Sequence, residues 1–398
     1  MAESKFTSTE LELSATNVLR RVQAPALGIG GIGLAASLVG ALVWPAQFFQ
    51  AWLVAYFFWL GAALGSTGLL MMQYISGGRW GAAIRRPLEA AASNVPMMAL
   101  FFVPVVVGMK YLYPWANPDI VAHSPILQYK SVYLNPTMVC LRAVIYFAIW
   151  ITLSTRLVAW SREEEEGGFD PARAGRVSVL SHAGIILWAV SMSLAAIDWA
   201  MSIEIAWFSH IYGLMFTGAQ LLNALLLAVI VSARLADHKP VSSVLSPARF
   251  HDLGKLMLAF TMLWGYFQLS QFIIMWGANL PEEMEWYIVR NENGWGAWTL
   301  FLFVFHFVVP FGLLLSRSRK KKPTSIAAVA TLMLVMRYVD IFWWITPEFS
   351  KSFWISPLHL TTVLGIGGIW MWRYLGTLQS RIVLSVNDPI VATELEHA

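Results

Sequence analysis

Along the chain, long apolar stretches alternate with short polar segments. They fall at about 25–44, 46–75, 91–113, 136–160, 177–200, 207–233, 253–277, 295–316, 324–346 and 354–376. A helix crossing the hydrocarbon core needs about 20 mostly apolar residues, so the pattern predicts ten transmembrane helices and an all-α membrane fold. Helix-start signals support two of the boundaries. In "LNPTM", Asn135 stands at an N-cap with Pro136 at the first helical position, and "KKPTS" plays the same part before the ninth span.

Composition agrees with this reading. Hydrophobic residues make up 58% of the 398 and charged residues 13%, against about 25% charged in soluble domains. Mean hydropathy is +0.60. Residues 1–24 are polar and carry Glu3, Glu10 and Glu12, unlike an export signal. The spans divide the chain into an N-terminal segment (1–24), spans one to five (25–200), spans six to ten (201–376) and a C-terminal tail (377–398).

The basic residues orient the spans. Of 27 lysines and arginines, 21 lie in the N-terminal segment, the even-numbered interspan loops and the C-terminal end. The opposite side has four: Lys110, Lys130, Arg290 and Lys351. Positive charge gathers on the cytoplasmic side, so both termini are expected there. The net charge of +4 is thus a matter of topology and implies no nucleic-acid partner. Trp44, Trp115, Trp199, Trp207, Trp276, Trp286, Trp343, Trp344 and Trp354 gather at the outer ends, where an interfacial aromatic belt accounts for most of them. The inner stretch "SREEEEGGFDPARAGR" reads as a flexible linker.

The single cysteine, Cys140, leaves no intramolecular disulfide, no self-contained iron–sulfur cluster and no CxxCH haem attachment. No Walker A or GxGxxG stretch stands in a strand–helix context. No metal site of the chain's own is expected.

The polar residues inside the spans carry the functional information, because an ionisable group in the bilayer is costly. In the outer half these are Arg142, Asp198, His210, Gln268, Gln271, Arg337, Asp340 and His359, with Glu204 in the turn "MSIEIAW". His306 lies near the middle of span eight, and Glu89, His182 and Lys255 near the inner side. Arg337 and Asp340 are three residues apart and share a helix face. They form either a structural ion pair or part of a proton route. Arg142 either snorkels to the outer surface or pairs with Asp198. His210 and His359 could in principle ligate a haem axially, but two histidines at similar depth are weak grounds for it. His306 is either a packing residue or a relay, and Glu89 and Lys255 read as interface residues. Spans two to four hold no interior histidine or carboxylate, whereas spans five to ten hold nearly all of them. A proton path could therefore use Asp198, Glu204, His210 and Asp340 as an outer half and His182 as an inner one, with His306, Gln268 and Arg337 between.

Four stretches, "LNPTMVCLRAVIYFAIW" (134–150), "DWAMSIEIAWFSHIYG" (198–213), "YFQLSQFIIMWGANLPEEMEWYIVR" (266–290) and "MRYVDIFWWITPEF" (336–349), resemble the polysulfide-reductase/NrfD-like membrane subunits. More narrowly, they are similar to those of alternative complex III, a bacterial quinol-oxidising complex. The resemblance runs from about residue 30 to 380. It implies two four-helix bundles, spans two to five and six to nine, flanked by one helix on each side. It also implies partners: a paralogous membrane subunit, a periplasmic iron–sulfur/molybdopterin-like subunit and multihaem cytochromes c, besides lipids. Haem and clusters would sit on those partners, with quinol or quinone in the complex.

One paralogue in such complexes binds quinol at the outer end of its first bundle through a histidine and an aspartate. Spans two to four of this chain lack both. The resemblance therefore favours the second, shorter paralogue, a scaffold for which proton coupling has been proposed. Carried over by motif, the positions of interest are Arg142, Asp198, Glu204, Gln271, Glu282, Glu283, Arg290, Arg337 and Asp340, with Glu282, Glu283 and Arg290 in an outer docking loop. The expected role is a non-redox membrane subunit of a quinol:cytochrome c, or other periplasmic carrier, oxidoreductase in the bacterial cytoplasmic membrane. The catalytic residues stay unassigned. Two alternatives remain open: a quinone-binding anchor of a molybdopterin oxidoreductase, and a stand-alone secondary transporter.

Overall fold

The computed structural model describes residues 8–237, 245–350 and 352–380. Among these residues there is no strand. Nine helices are long and apolar enough to cross a membrane, so the chain is an all-α, multi-pass membrane protein. The long helices are α1 (Ser8–Val43), α2 (Pro45–Ser76), α3 (Arg79–Ala92), α4 (Pro136–Gly167), α5 (Pro171–Trp199), α6 (Tyr212–Leu235), α7 (Pro247–Ala278), α8 (from Trp295 to Leu315), α9 (Pro323–Ile345) and α10 (Pro357–Gln379). The last apolar run of the sequence is α10. It is 23 residues long and is not one of those nine.

Proline marks most of the starts. It occupies the first helical turn of α2, α4, α5, α7, α9 and α10, where its missing N–H costs nothing. Asn135 caps α4 by accepting from the Met138 amide, and Asp170 caps α5 by accepting from Ala172 and Arg173.

Two helices form the centre. α2 and α6 are almost wholly buried and lie against one another. Small residues permit the approach: a Cβ on Gly65 would stand 2.0 Å from the Gln220 carbonyl oxygen. The amide of Asn223 donates to the Phe58 carbonyl at 2.7 Å across the same crossing. α3, α4 and α5 gather around α2; α7 and α9 pack on α6, with α8 against both. α1 and α10 form an extensive contact of their own. There Gly30 and Gly33 face Gly365 and Gly368 backbone to backbone, and a Cβ on Gly33 would lie 2.6 Å from the Gly365 nitrogen. Close packing of small residues drives helix pairing where lipid removes the hydrophobic incentive.

Four expectations change. The third span begins earlier than 91: its apolar stretch is Ala83–Val107, with α3 followed by the short helices Val95–Phe101 and Val103–Val107 at Pro96 and Pro104. The charges that masked this start neutralise one another. Glu89 is fully buried rather than at an interface; it meets Arg85 at 2.9 Å and Arg86 at 2.8 Å, and accepts from Ser161 at 2.6 Å. The spans two to four are therefore not free of carboxylates. Finally, the first half of "SREEEEGGFDPARAGR" is no linker. It continues α4 to Gly167, and Glu164 and Glu165 reach Arg85 and Arg86 at 2.5 and 3.3 Å. Only three residues separate α4 from α5.

Candidate functional site

Arg337 and Asp340 face the interior from α9, at 2% and 1% exposure. The Arg337 guanidinium donates through Nη1 to Asp340 Oδ2. The same carboxylate accepts from the indole N–H of Trp264 on α7 and of Trp344 on α9, both at 3.1 Å. Asp340 is thus held by an arginine and two indoles, and Arg337 keeps a buried Nε without a hydrogen-bond partner among the described residues. An ionised carboxylate only accepts, so every contact favours the charged form against the cost of its burial.

His306 continues the cluster. It lies in a π-helical turn of α8, Phe303–Val308, and its ring stands edge-on to Trp264 with centroids 4.5 Å apart. A π-turn inserts one residue into the helical ladder and here turns His306 inward. It is 1% exposed, and neither ring nitrogen has a hydrogen-bond partner among the described residues.

Two cavities of about 10 Å³ flank Trp344, each large enough for about one water. One is lined by Trp264, Gln268 and Gly218, the other by Arg337, Asp340 and Tyr212. Tyr212 also lies within electrostatic reach of Arg290 and Glu348, which leads from Asp340 toward the tryptophan-rich end.

At that end Arg290 closes the helix set. It donates to the carbonyls of Trp286, Trp343 and Trp344 at 2.9, 3.3 and 2.8 Å, and pairs with Glu348 at 2.8 Å. Its guanidinium stacks 3.4 Å from the Trp286 ring centroid, an arrangement suited to a planar delocalised cation. Burial pulls its pKa down, and Glu348 opposes this. Arg290 has no exposed surface, which removes it from the docking loop and makes it an internal clamp. Glu283, half-buried, lies on the helix Pro281–Val289; the side chain of Glu282 is outside the described residues. Glu204 accepts from the Ala206 amide at 3.0 Å. Burial raises its pKa, and the neighbouring Glu348 carboxylate raises it further.

A second ion pair stands apart, on α4 and α5. Arg142 Nε and Nη2 donate to Asp198 at 2.7 and 3.0 Å, and Tyr146 donates to Asp198 at 2.9 Å. Arg142 also lies 3.8 Å above the Tyr133 ring. Burial and Asp198 push the Tyr133 hydroxyl up to about 12. Arg142 therefore pairs rather than snorkels, and Asp198 belongs to a different cluster from Asp340.

The other expected residues scatter. Gln271 is buried and accepts from Ser209 at 2.7 Å, with its Nε2 unpartnered. His210 is exposed beside Phe208, while His359 is buried edge-on to Phe342 at 4.9 Å. His182 faces outward and hydrogen-bonds within its own helix, to the Ser178 carbonyl at 2.8 Å, so it joins no inner half of the route. Lys255 is exposed and 3.1 Å from Asp252.

Most of the tryptophans read as a belt are interior. Trp115, Trp199, Trp207, Trp286, Trp343 and Trp344 are buried, while Trp44, Trp276 and Trp354 are exposed. The missed participants are Trp264, Trp344, Tyr212 and Glu348. Of these only Trp344, four residues after Asp340, was within reach of a helical-spacing argument. Among the described residues no group of three or more His, Cys, Asp or Glu is arranged to hold a metal ion. Compared with known proteins, the chain matches no family model and no curated protein.

Proposed function

We propose that this chain is a membrane subunit of a quinol-oxidising electron-transfer complex, acting as a scaffold and carrying protons through the half of the molecule built on α6 to α9. In this reading α10 also crosses the bilayer, giving ten spans as two four-helix bundles, α2–α5 and α6–α9, flanked by α1 and α10. Both termini then face the cytoplasm of a bacterium. Partners of the same complex supply the haem and iron–sulfur centres, and a paralogous membrane subunit stands beside this one.

The observation that carries the reading is Asp340. It is fully buried, held by Arg337 and two indoles, and bordered by two water-sized cavities and the unpartnered His306. A purely structural ion pair asks only for mutual satisfaction. Here a buried donor on Arg337 and two ring nitrogens on His306 are left over, and unpartnered buried polar groups beside room for water suit proton transfer. Asp340 takes a proton when Arg337 withdraws, and releases it through the Tyr212 side toward Glu348 and Glu204.

The test is Asp340→Asn in the intact complex reconstituted in vesicles. Fewer protons moved per electron, with assembly retained, is the expected result. Unchanged stoichiometry refutes proton conduction through Asp340, and loss of assembly assigns the pair a structural role. Mass spectrometry of the intact complex, identifying the co-purifying subunits, tests the assignment to an oxidoreductase.

A further inference from the structure

The two basic ends of the fold differ in how their charge is met. At the end of α3, α4 and α5, residues 79–89 and 156–176 hold seven arginines against six carboxylates. Arg85, Arg86 and Arg173 are paired with glutamates there. At the start of α7 and between α8 and α9, residues 247–255 and 316–322 hold seven lysines and arginines against one carboxylate, Asp252. That acid already serves Arg249 and Lys255. Arg317, Arg319, Lys320, Lys321 and Lys322 carry no ion pair among the described residues.

The packing gathers these cations. Seven residues join Leu315 of α8 to Pro323 of α9, and their short helical turn, Arg317–Lys321, packs on α7. The stem of Lys320 is buried against Gly254, whose missing side chain leaves room for it. Lys320, Arg317 and Lys255 thereby come within electrostatic reach of one side chain, His251. Arg317, Arg319, Lys321 and Lys322 stay exposed. Like charges held together without counter-ions repel one another and favour an anion beside them.

The position selects the anion. So short a connection between two spans keeps its charges at the depth of the lipid headgroups. On α8, Val308, Gly312 and Leu315 stand at helical spacing on one exposed face. A Cβ on Gly312 would meet nothing, so this face has a notch between two apolar side chains.

We propose that this basic end binds an anionic phospholipid, a phosphatidylglycerol, with its phosphate among the exposed cations of residues 316–322 and an acyl chain along the Gly312 face of α8. A zwitterionic headgroup brings no net charge to offset the cluster. A soluble anion gains nothing from the notch. The inference needs only that the chain cross a membrane, and it is independent of proton conduction by Asp340.

The test titrates the full-length protein, delipidated in detergent with whatever subunits accompany it, and counts bound lipid by native mass spectrometry. The probes are phosphatidylglycerol and phosphatidylcholine of matched chains, with glycerophosphoglycerol as the soluble headgroup. Phosphatidylglycerol is expected to bind about tenfold more tightly than phosphatidylcholine. The triple variant Arg319→Gln, Lys321→Gln, Lys322→Gln erases most of that preference. The matched triple Arg156→Gln, Arg162→Gln, Arg176→Gln removes the same charge from the other basic end and retains it. Should the first triple fail to fold, Gly312→Leu fills the notch, keeps every cation and is expected to weaken phosphatidylglycerol about threefold. Equal affinity for the two lipids, equal losses in the two triples, or a Gly312→Leu protein that binds like the parent overturns the proposal. So does a soluble headgroup that binds as tightly as the lipid, or a first triple that sheds an acidic subunit while its lipid binding is unchanged.

Discussion

Arg142 and Asp198 meet at two points: Nε lies 2.7 Å from one carboxylate oxygen and Nη2 3.0 Å from the other. This fork-to-fork geometry ties α4 to α5 with both orientation and charge. Tyr146 completes the set, so Asp198 accepts from two guanidinium N–H groups and one hydroxyl.

Asp198→Asn is expected to destabilise the protein by about 1–3 kcal/mol, since it strips a half-buried arginine of its charge partner. Replacing both partners, Arg142→Met with Asp198→Leu, is expected to cost less than the single change, because nothing charged is then left alone. Denaturation in detergent followed by helical signal checks both. Additive losses would show that the two side chains do not depend on each other.

His306 gives the opposite expectation. Its ring nitrogens have no partner among the described residues, so His306→Leu removes a buried polar liability. The variant is expected to be as stable as the parent or more so, while proton transfer slows. Thermal unfolding and proton flux, measured on the same preparation, separate the effects. A clear loss of stability together with unchanged flux would return His306 to a packing role.

Glu204 predicts a pH dependence. Burial, with Glu348 beside it, holds its pKa above the ordinary glutamate value of 4.5. A carboxyl whose folded pKa is raised stabilises the fold in its protonated form. That contribution is complete below about pH 4.5 and is lost as pH rises through the folded value. Glu204→Gln keeps a neutral side chain at every pH, so its advantage over the parent should grow as pH rises through that range. Melting temperatures of both proteins across pH 4 to 8 test this, and parallel curves would contradict it.

Much of the membrane architecture was legible in the apolar runs, because burial in lipid demands uninterrupted length. The errors fell where charges satisfy each other inside a helix. Arg85, Arg86 and Glu89 moved the apparent start of the third span, and the acidic run after Trp160 looked like a linker although it grips those arginines. The site was half legible. Spacing along one helix places Arg337, Asp340 and Trp344 together, but Trp264 and His306 arrive from α7 and α8, and no pattern within α9 announces them. Tryptophan misled for a physical reason: an apolar body with one N–H serves an interfacial belt and a buried acid equally well.

The glycine seam between α1 and α10 also sets an order of events. Ser37 and Thr361, bonded at 3.0 Å beside the seam, are 324 residues apart in the chain. During synthesis α1 enters the bilayer long before its mate exists, with the notches at Gly30 and Gly33 turned toward lipid. The seam can therefore close only once α10 has been made. A chain halted before Gly365 leaves a helix surface shaped for a partner that never comes, a mark by which an unfinished copy differs from a finished one.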